Sequence, residues 1–236
     1  MKKYIKKLYT RIFHDDLLYS NYWGQIYNST IANSNWLEDK AISPGRWAVG
    51  YGFLYVLYRC LNDVKPQKCL ELGLGQSTKV IGQYTRACGQ EHIVVEHDSA
   101  WKEFFLTGWN KLSSKSKILI LPLQNIKKGN DTYYSYSGFK NEFCNKKFDF
   151  VSVDGPFGGD VYSRRDILDC LPDILEEKFI ILFDDCGRVG EKQTVKDAEV
   201  ILRKHNIPYE KGLYSEGGDK IVTILVSKEW GFLCSL

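Results

Sequence analysis

From Lys68 onward the chain alternates short apolar runs with longer amphipathic stretches. The runs are Cys69–Leu72, Ile93–Glu96, Ile118–Leu121, Phe148–Val153, Phe179–Phe183 and Ile221–Val226. They are rich in Ile, Val, Leu and Phe and lack an in-out alternation, which predicts strands buried on both faces, as in a parallel sheet. Between them, Thr78–Ala87, Trp101–Lys111, Ser163–Leu175 and Thr194–His205 have the length and polarity of crossover helices. Tyr209–Tyr214 reads as a weaker strand, and Gly217-Gly218-Asp219 before Lys220 as a hairpin turn, so the last strand pair is expected to be antiparallel. The alternation predicts an α/β fold, a doubly wound and mostly parallel sheet.

The first part of the chain follows a different pattern. Lys2 to Phe13 is amphipathic, with Ile5, Leu8 and Ile12 on one face and Lys3, Lys7 and Arg11 on another. This is either an ordinary surface helix or a peripheral membrane or partner contact through residues 2–13. Asp15 to Ser43 carries Tyr19, Tyr22, Trp23, Tyr27 and Trp36, suited to a cap over a site or a wrap around the sheet. Ser43-Pro44-Gly45 reads as a helix entry and Arg46 to Leu61 as the helix leading into the first strand. The expected organisation is a helical, aromatic-rich extension over 1–45 and one ligand-binding domain over 46–236.

With 236 residues, 44% of them hydrophobic, the chain can bury a large core. The formal net charge of +3 implies no broad basic surface and so no nucleic-acid partner. The longest apolar segment, Trp47 to Leu61, contains Arg59 and is shorter than the roughly 20 residues of a membrane span. Seven cysteines are scattered without a C-x-x-C pair. They read as thiols packed as small hydrophobes, which suits a reducing, cytoplasmic setting. A homo-oligomer stays open.

Candidate chemistry lies at the strand ends, where open α/β sheets bind ligands. The first strand runs into Glu71-Leu72-Gly73-Leu74-Gly75, and Gln76-Ser77-Thr78 opens a helix. Glycines there admit a ligand close to the backbone, and a helix start offers N–H groups to an anion; a plain tight turn would use the same residues. Thr78 stands where a dinucleotide fingerprint needs its third glycine. Glu96, at the end of the second strand, suits ribose hydroxyls. The fourth run ends in Asp154-Gly155-Pro156 and the fifth in Asp184-Asp185. Neighbouring strands would bring these three carboxylates together, where they either serve chemistry or only shape turns and caps.

Glu71 to Thr78 and Val95-Glu96-His97-Asp98 resemble the first two motifs of class I S-adenosylmethionine-dependent methyltransferases, over about Arg46 to the C-terminus. The resemblance implies seven strands with the last antiparallel. It places Glu71, Gly73, Gly75, Gln76, Ser77, Thr78, Glu96, His97, Gln124 and Asp154 around S-adenosylmethionine, with Gln124 near adenine. The acidic ends are similar to those of metal-dependent O-methyltransferases, sugar-modifying members above all. That implies Mg²⁺ on Asp154, Asp184 and Asp185, with Asp154, Asp184 and His97 catalytic. A guanidinium of Arg164 or Arg165 would suit an anionic acceptor, and Arg46 could reach the cofactor carboxylate. The expected activity is methylation of a sugar hydroxyl on a glycan or on a nucleotide- or lipid-linked sugar. The alternatives are another acceptor, a protein side chain or small amine, or a non-catalytic module that binds the cofactor.

Overall fold

A computed structural model describes residues 2–44 and 48–235, with side chains from Leu17 onward. Its centre is a seven-stranded sheet of β1 (Lys68–Leu72), β2 (Glu91–Glu96), β3 (Ser116–Ile120), β6 (Phe148–Val153), β7 (Leu175–Phe183), β8 (Glu210–Ser215) and β9 (Ile221–Val226), in the order β3-β2-β1-β6-β7-β9-β8. Strands β3 to β7 in that order are parallel, β9 runs antiparallel to β7, and β8 antiparallel to β9. Strand order reverses between β1 and β6, so the connections from their carboxyl ends lead to opposite sides and leave a crevice above the paired strands.

The strands are apolar throughout because both faces are covered. On one face Cys69, Phe150, Ile180 and Leu182 pack under α2 (Tyr51–Arg59), α3 (Gln76–Cys88) and the N-terminal helix α1 (Lys2–Ile31). On the other, Leu70, Leu72, Val151, Val153 and Ile181 meet α6 (Val189–Lys204) and α5 (Phe139–Phe143). Trp109 and Phe105, at the end of α4 (Ser99–Gly108), form a smaller cluster with Leu74 and Val94.

The N-terminal aromatics divide between core and surface. Trp23, Tyr27, Ile31 and Trp36 are buried in the same core as α2, and the Trp23 indole donates to the Ser215 carbonyl at 2.7 Å. Tyr19 and Tyr22 remain exposed. The side chains of Ile5, Leu8 and Ile12 lie outside the described residues, as do Gly45 and Arg46. Helix α2 starts at Tyr51, after the non-helical residues 48–50 and later than the expected entry at Arg46. Its first free amides are met by a distant residue: Glu216 Oε1 accepts from the Phe53 amide at 2.8 Å. Among the described residues no helix is long and apolar enough to cross a membrane.

Three expectations are corrected. The helix expected over Ser163–Leu175 is a loop with one 3₁₀ turn, Asp166–Cys170. Pro172 removes a donor, and the Asp166 carboxylate is drawn away to Ser135 Oγ and the Tyr136 amide, both at 2.7 Å. Those partners belong to an unanticipated hairpin, β4 (Leu123–Lys128) and β5 (Asp131–Tyr136), turning at Gly129-Asn130. Lastly, the cysteines are not all free thiols: Cys144 and Cys170 form a disulfide that ties the end of α5 to the 3₁₀ turn. Cys60, Cys69 and Cys186 are buried free thiols, as expected of small hydrophobes.

Candidate active site

A cavity of about 570 Å³ opens at the carboxyl ends of β1, β2 and β6. Its floor is the turn after β1. The Gly73 amide donates to the Val95 carbonyl at 2.9 Å, carrying the sheet pairing one residue beyond the strand. Gly73 has φ of +102°, a conformation that favours glycine, and a Cβ there would meet Gly155 N at 3.1 Å. The Gly75 amide donates to Thr78 Oγ1 at 2.9 Å, closing the first turn of α3.

Glu96 organises the second wall. It is buried, and its carboxylate accepts from the Leu74 amide at 3.1 Å, the His97 amide at 2.7 Å and the Asp98 amide at 3.0 Å. Its Oε1 also lies 2.7 Å from His97 Nδ1. One carboxylate thereby joins the β1 and β2 turns and keeps lone-pair capacity for a ligand hydroxyl. Asp98 caps α4 through the Ala100 and Trp101 amides, which sets Trp101 over the cavity with its indole donating to the Leu74 carbonyl at 2.8 Å. Phe157, 60% exposed, stands edge-on to His97 with ring centroids 4.8 Å apart.

The third wall is acidic. Asp154, Asp184 and Asp185 each place a carboxylate oxygen within 4.8 Å of the others. Arg164 enters the group, with Nη1 at 3.2 Å from Asp154 Oδ1 and Nη2 at 3.1 Å from Asp185 Oδ2. Arg188 reaches Asp185 Oδ2 at 2.9 Å and Lys220 reaches Asp185 Oδ1 at 3.2 Å. Burial would raise the Asp185 carboxyl, but Arg164, Lys220 and Arg188 outweigh it and hold it below the usual range. Burial, with Asp185 beside it, raises Asp184. Burial also raises Asp154, to about 8, against the pull of Arg164 and with Asp184 and Asp185 adding to the rise.

No protein-family model matches the chain, and no curated protein matches it in sequence. Solved structures match it in shape. A Podospora anserina methyltransferase with S-adenosylhomocysteine bound shares 15% identity, over 91% of this chain and 88% of its own, at a TM-score of 0.52. An O-methyltransferase from Bacillus cereus, in complex with the same molecule, shares 12% identity, over 89% of this chain and 91% of its own, at a TM-score of 0.51. The fold is that of a class I methyltransferase.

Within this methyltransferase fold the sequence-derived residues separate into groups. Gly73, Gly75, Gln76, Glu96, His97, Asp154 and Arg164 all line the cavity. Glu71, Ser77 and Thr78 stand behind it. Glu71 is fully buried and bonded to Ser77 Oγ at 2.6 Å and His92 Nε2 at 3.0 Å, so it braces the turn from below. Gln124 is a correction: it lies on the exposed β4 of the hairpin, opposite Ser135, and does not line the cavity. Arg165 is another, because it pairs with Asp197 at 2.6 Å and its guanidinium stacks 5.1 Å from the Tyr162 ring. Arg164 faces inward as expected but is satisfied by the protein's own carboxylates. Asp184 and Asp185 do converge with Asp154, and Asp154 and Asp185 also face the Arg164 guanidinium. Sequence reasoning missed Tyr136 and Trp101. Tyr136 arrives from the hairpin, whose Gly-Asn turn before the Thr- and Tyr-bearing segment Asp131–Tyr136 was the available signal.

Proposed function

We propose that this chain is an S-adenosylmethionine-dependent methyltransferase that methylates a hydroxyl oxygen of a sugar, on a glycan or a nucleotide- or lipid-linked carrier. The observation that carries the cofactor reading is Glu96, a buried carboxylate pinned by the Leu74, His97 and Asp98 amides beside the Gly73 turn at the reversal of strand order. That is where ribose hydroxyls need a fixed acceptor. Gly73 and Gly75 would face the methionine part, and Trp101 the nucleoside.

The acceptor reading rests on what surrounds the acidic wall. A second cavity of about 290 Å³ shares Asp185 and Arg188 with the first and is lined by Ser20, Glu216, Asp219 and Lys220. Such a mixture of charged donors and acceptors matches a molecule with many hydroxyls. Phe157 and Tyr134, 60% and 43% exposed, offer flat apolar faces at the rim.

Transfer is an in-line displacement. The acceptor oxygen forms a bond to the methyl carbon while the carbon–sulfur bond breaks and sulfur keeps the electron pair. The hydroxyl proton passes to Asp154, which lines the first cavity and acts as general base. Alignment of the two reactants and exclusion of water supply the rest.

Calorimetry with S-adenosylhomocysteine tests the first half: saturable binding that Glu96→Ala weakens is expected, and binding of NADPH in its place would overturn it. Radiolabelled methyl transfer to sugars, nucleotide sugars, catechols and peptides tests the second. Label in the peptides or catechols alone would move the acceptor elsewhere.

A further inference from the structure

We propose that Arg164 is the resident cation of the acidic wall, and that the methyl transfer proposed above proceeds without a divalent metal. The three carboxylates taken alone look like a metal site, with ligand atoms within 4.8 Å of one another. Their partners argue otherwise.

Arg164 is only 7% exposed, and each of its three guanidinium nitrogens has a partner inside the protein. Nε reaches the Pro156 carbonyl at 3.3 Å, Nη1 the Asp184 carbonyl at 3.3 Å and Asp154 Oδ1 at 3.2 Å, and Nη2 Asp185 Oδ2 at 3.1 Å. Its backbone adopts φ of +51°, a left-handed conformation that a non-glycine residue keeps only where surroundings enforce it. The loop from Gly155 to Ser163 is thus shaped to deliver one guanidinium to one place.

Three of the six carboxylate oxygens already face a cation. Asp185 Oδ2 faces Arg164 and Arg188, and Asp185 Oδ1 faces Lys220. Asp154 Oδ1 faces Arg164. A small dication requires several oxygens at about 2.1 Å in near-octahedral array, so these groups would have to turn away from their cations. It would also sit beside three positive side chains, whose repulsion is strong in a buried setting. The other acids nearby are engaged as well: Glu191 accepts from Ser163 Oγ at 2.9 Å, and Glu216 from the Phe53 amide at 2.8 Å. Buried oxygens without a hydrogen-bond partner remain on Asp184 (Oδ1), Glu191 (Oε2) and Asp185 (Oδ1, which faces Lys220 at 3.2 Å).

Mn²⁺ is the probe, because its electron paramagnetic resonance signal falls when it leaves water for a protein site. Wild-type protein, with and without S-adenosylhomocysteine, should leave the signal of added Mn²⁺ unchanged. Arg164→Ala removes the resident cation and should take up Mn²⁺ stoichiometrically, and Asp185→Asn in that background should abolish the uptake. Stoichiometric Mn²⁺ binding by the wild type, lost in Asp185→Asn, would overturn the proposal. So would a folded Arg164→Ala protein that binds none. If circular dichroism shows Arg164→Ala unfolded, the wild-type titration still decides, and Arg164→Lys keeps a cation and should stay silent. Calorimetry with S-adenosylhomocysteine on the same wild-type sample keeps the two readings apart: absent heat would sink the cofactor reading and leave the Mn²⁺ result standing.

Discussion

Gly73 and Gly155 meet backbone to backbone across the reversal of strand order: a Cβ on Gly155 would lie 2.9 Å from Gly73 N and 3.0 Å from Gly73 Cα. The same Cβ would lie 2.5 Å from the Tyr136 hydroxyl. The turn after β1 and the turn after β6 therefore share one narrow seam, and neither can gain a side chain without moving the other. Gly155→Ala is expected to cost about 1–3 kcal/mol of stability, the usual range for overpacking, and to weaken S-adenosylhomocysteine binding. Adding Tyr136→Phe removes one of the two obstacles, so urea unfolding should show partial recovery. Full recovery would mean that the backbone contact is inconsequential.

Gly73→Ala tests the other side of the seam. Its φ of +102° penalises any side chain in addition to the contact with Gly155. Calorimetry should show loss of S-adenosylhomocysteine binding, and Gly73→Arg should lose it outright.

Glu96 holds both cavity turns through three backbone amides. Glu96→Gln retains acceptor oxygen on one side only, so binding should weaken by about tenfold to a hundredfold, the equivalent of losing one or two hydrogen bonds. The matched controls are Gln124→Ala and Arg165→Ala. The first should leave affinity unchanged. The second should lower the melting temperature through loss of Asp197 while affinity stays near the wild-type value.

These controls mark where the sequence was readable. Strands such as Phe148–Val153 and Ile221–Val226 declare themselves because burial on both faces forces an unbroken apolar run. Glu96 was readable because its partners, Leu74 to Asp98, sit on the two turns that a strand–helix–strand unit always brings together. The hairpin was not, since it is largely exposed, and the apolar residues of β4, Leu123 and Ile126, are three apart and break the alternation of a strand. Gln124 was misplaced for that reason. Arg164 could be read as a cation, but its partner Asp185 lies 21 residues away in the turn after β7, and no local pattern encodes that pairing.

The pH dependence of stability should centre on Glu216. Burial, with Asp184 adding to it, pushes its carboxyl up to about 7, against the Phe53 and Gly52 amides and Lys220. The folded protein thus binds this proton more tightly than the unfolded chain does. The resulting stabilisation is fully present below about 4.5, the ordinary value, and is lost as pH rises through 7. Glu216→Gln keeps an oxygen for the Phe53 amide and cannot ionise. Its melting temperature should exceed the wild type's at pH 8, with the difference shrinking by pH 5. An equal difference at both pH values would exclude ionisation as the cause.

The Cys144–Cys170 bond encloses 26 residues of sequence separation, and within that stretch lie β6, Asp154, Gly155, Phe157 and Arg164. The acidic wall's entire loop is thus a segment of a covalent ring. A protease that cuts the chain once between Pro156 and Tyr162 would open the ring without separating the halves. The nicked protein would run as one band until reductant was added, and its two fragments would carry the seam's glycines, Gly73 and Gly155, on the same piece. Arg164 would be on the other, held to Asp154 across the gap by charge and to the fold by sulfur.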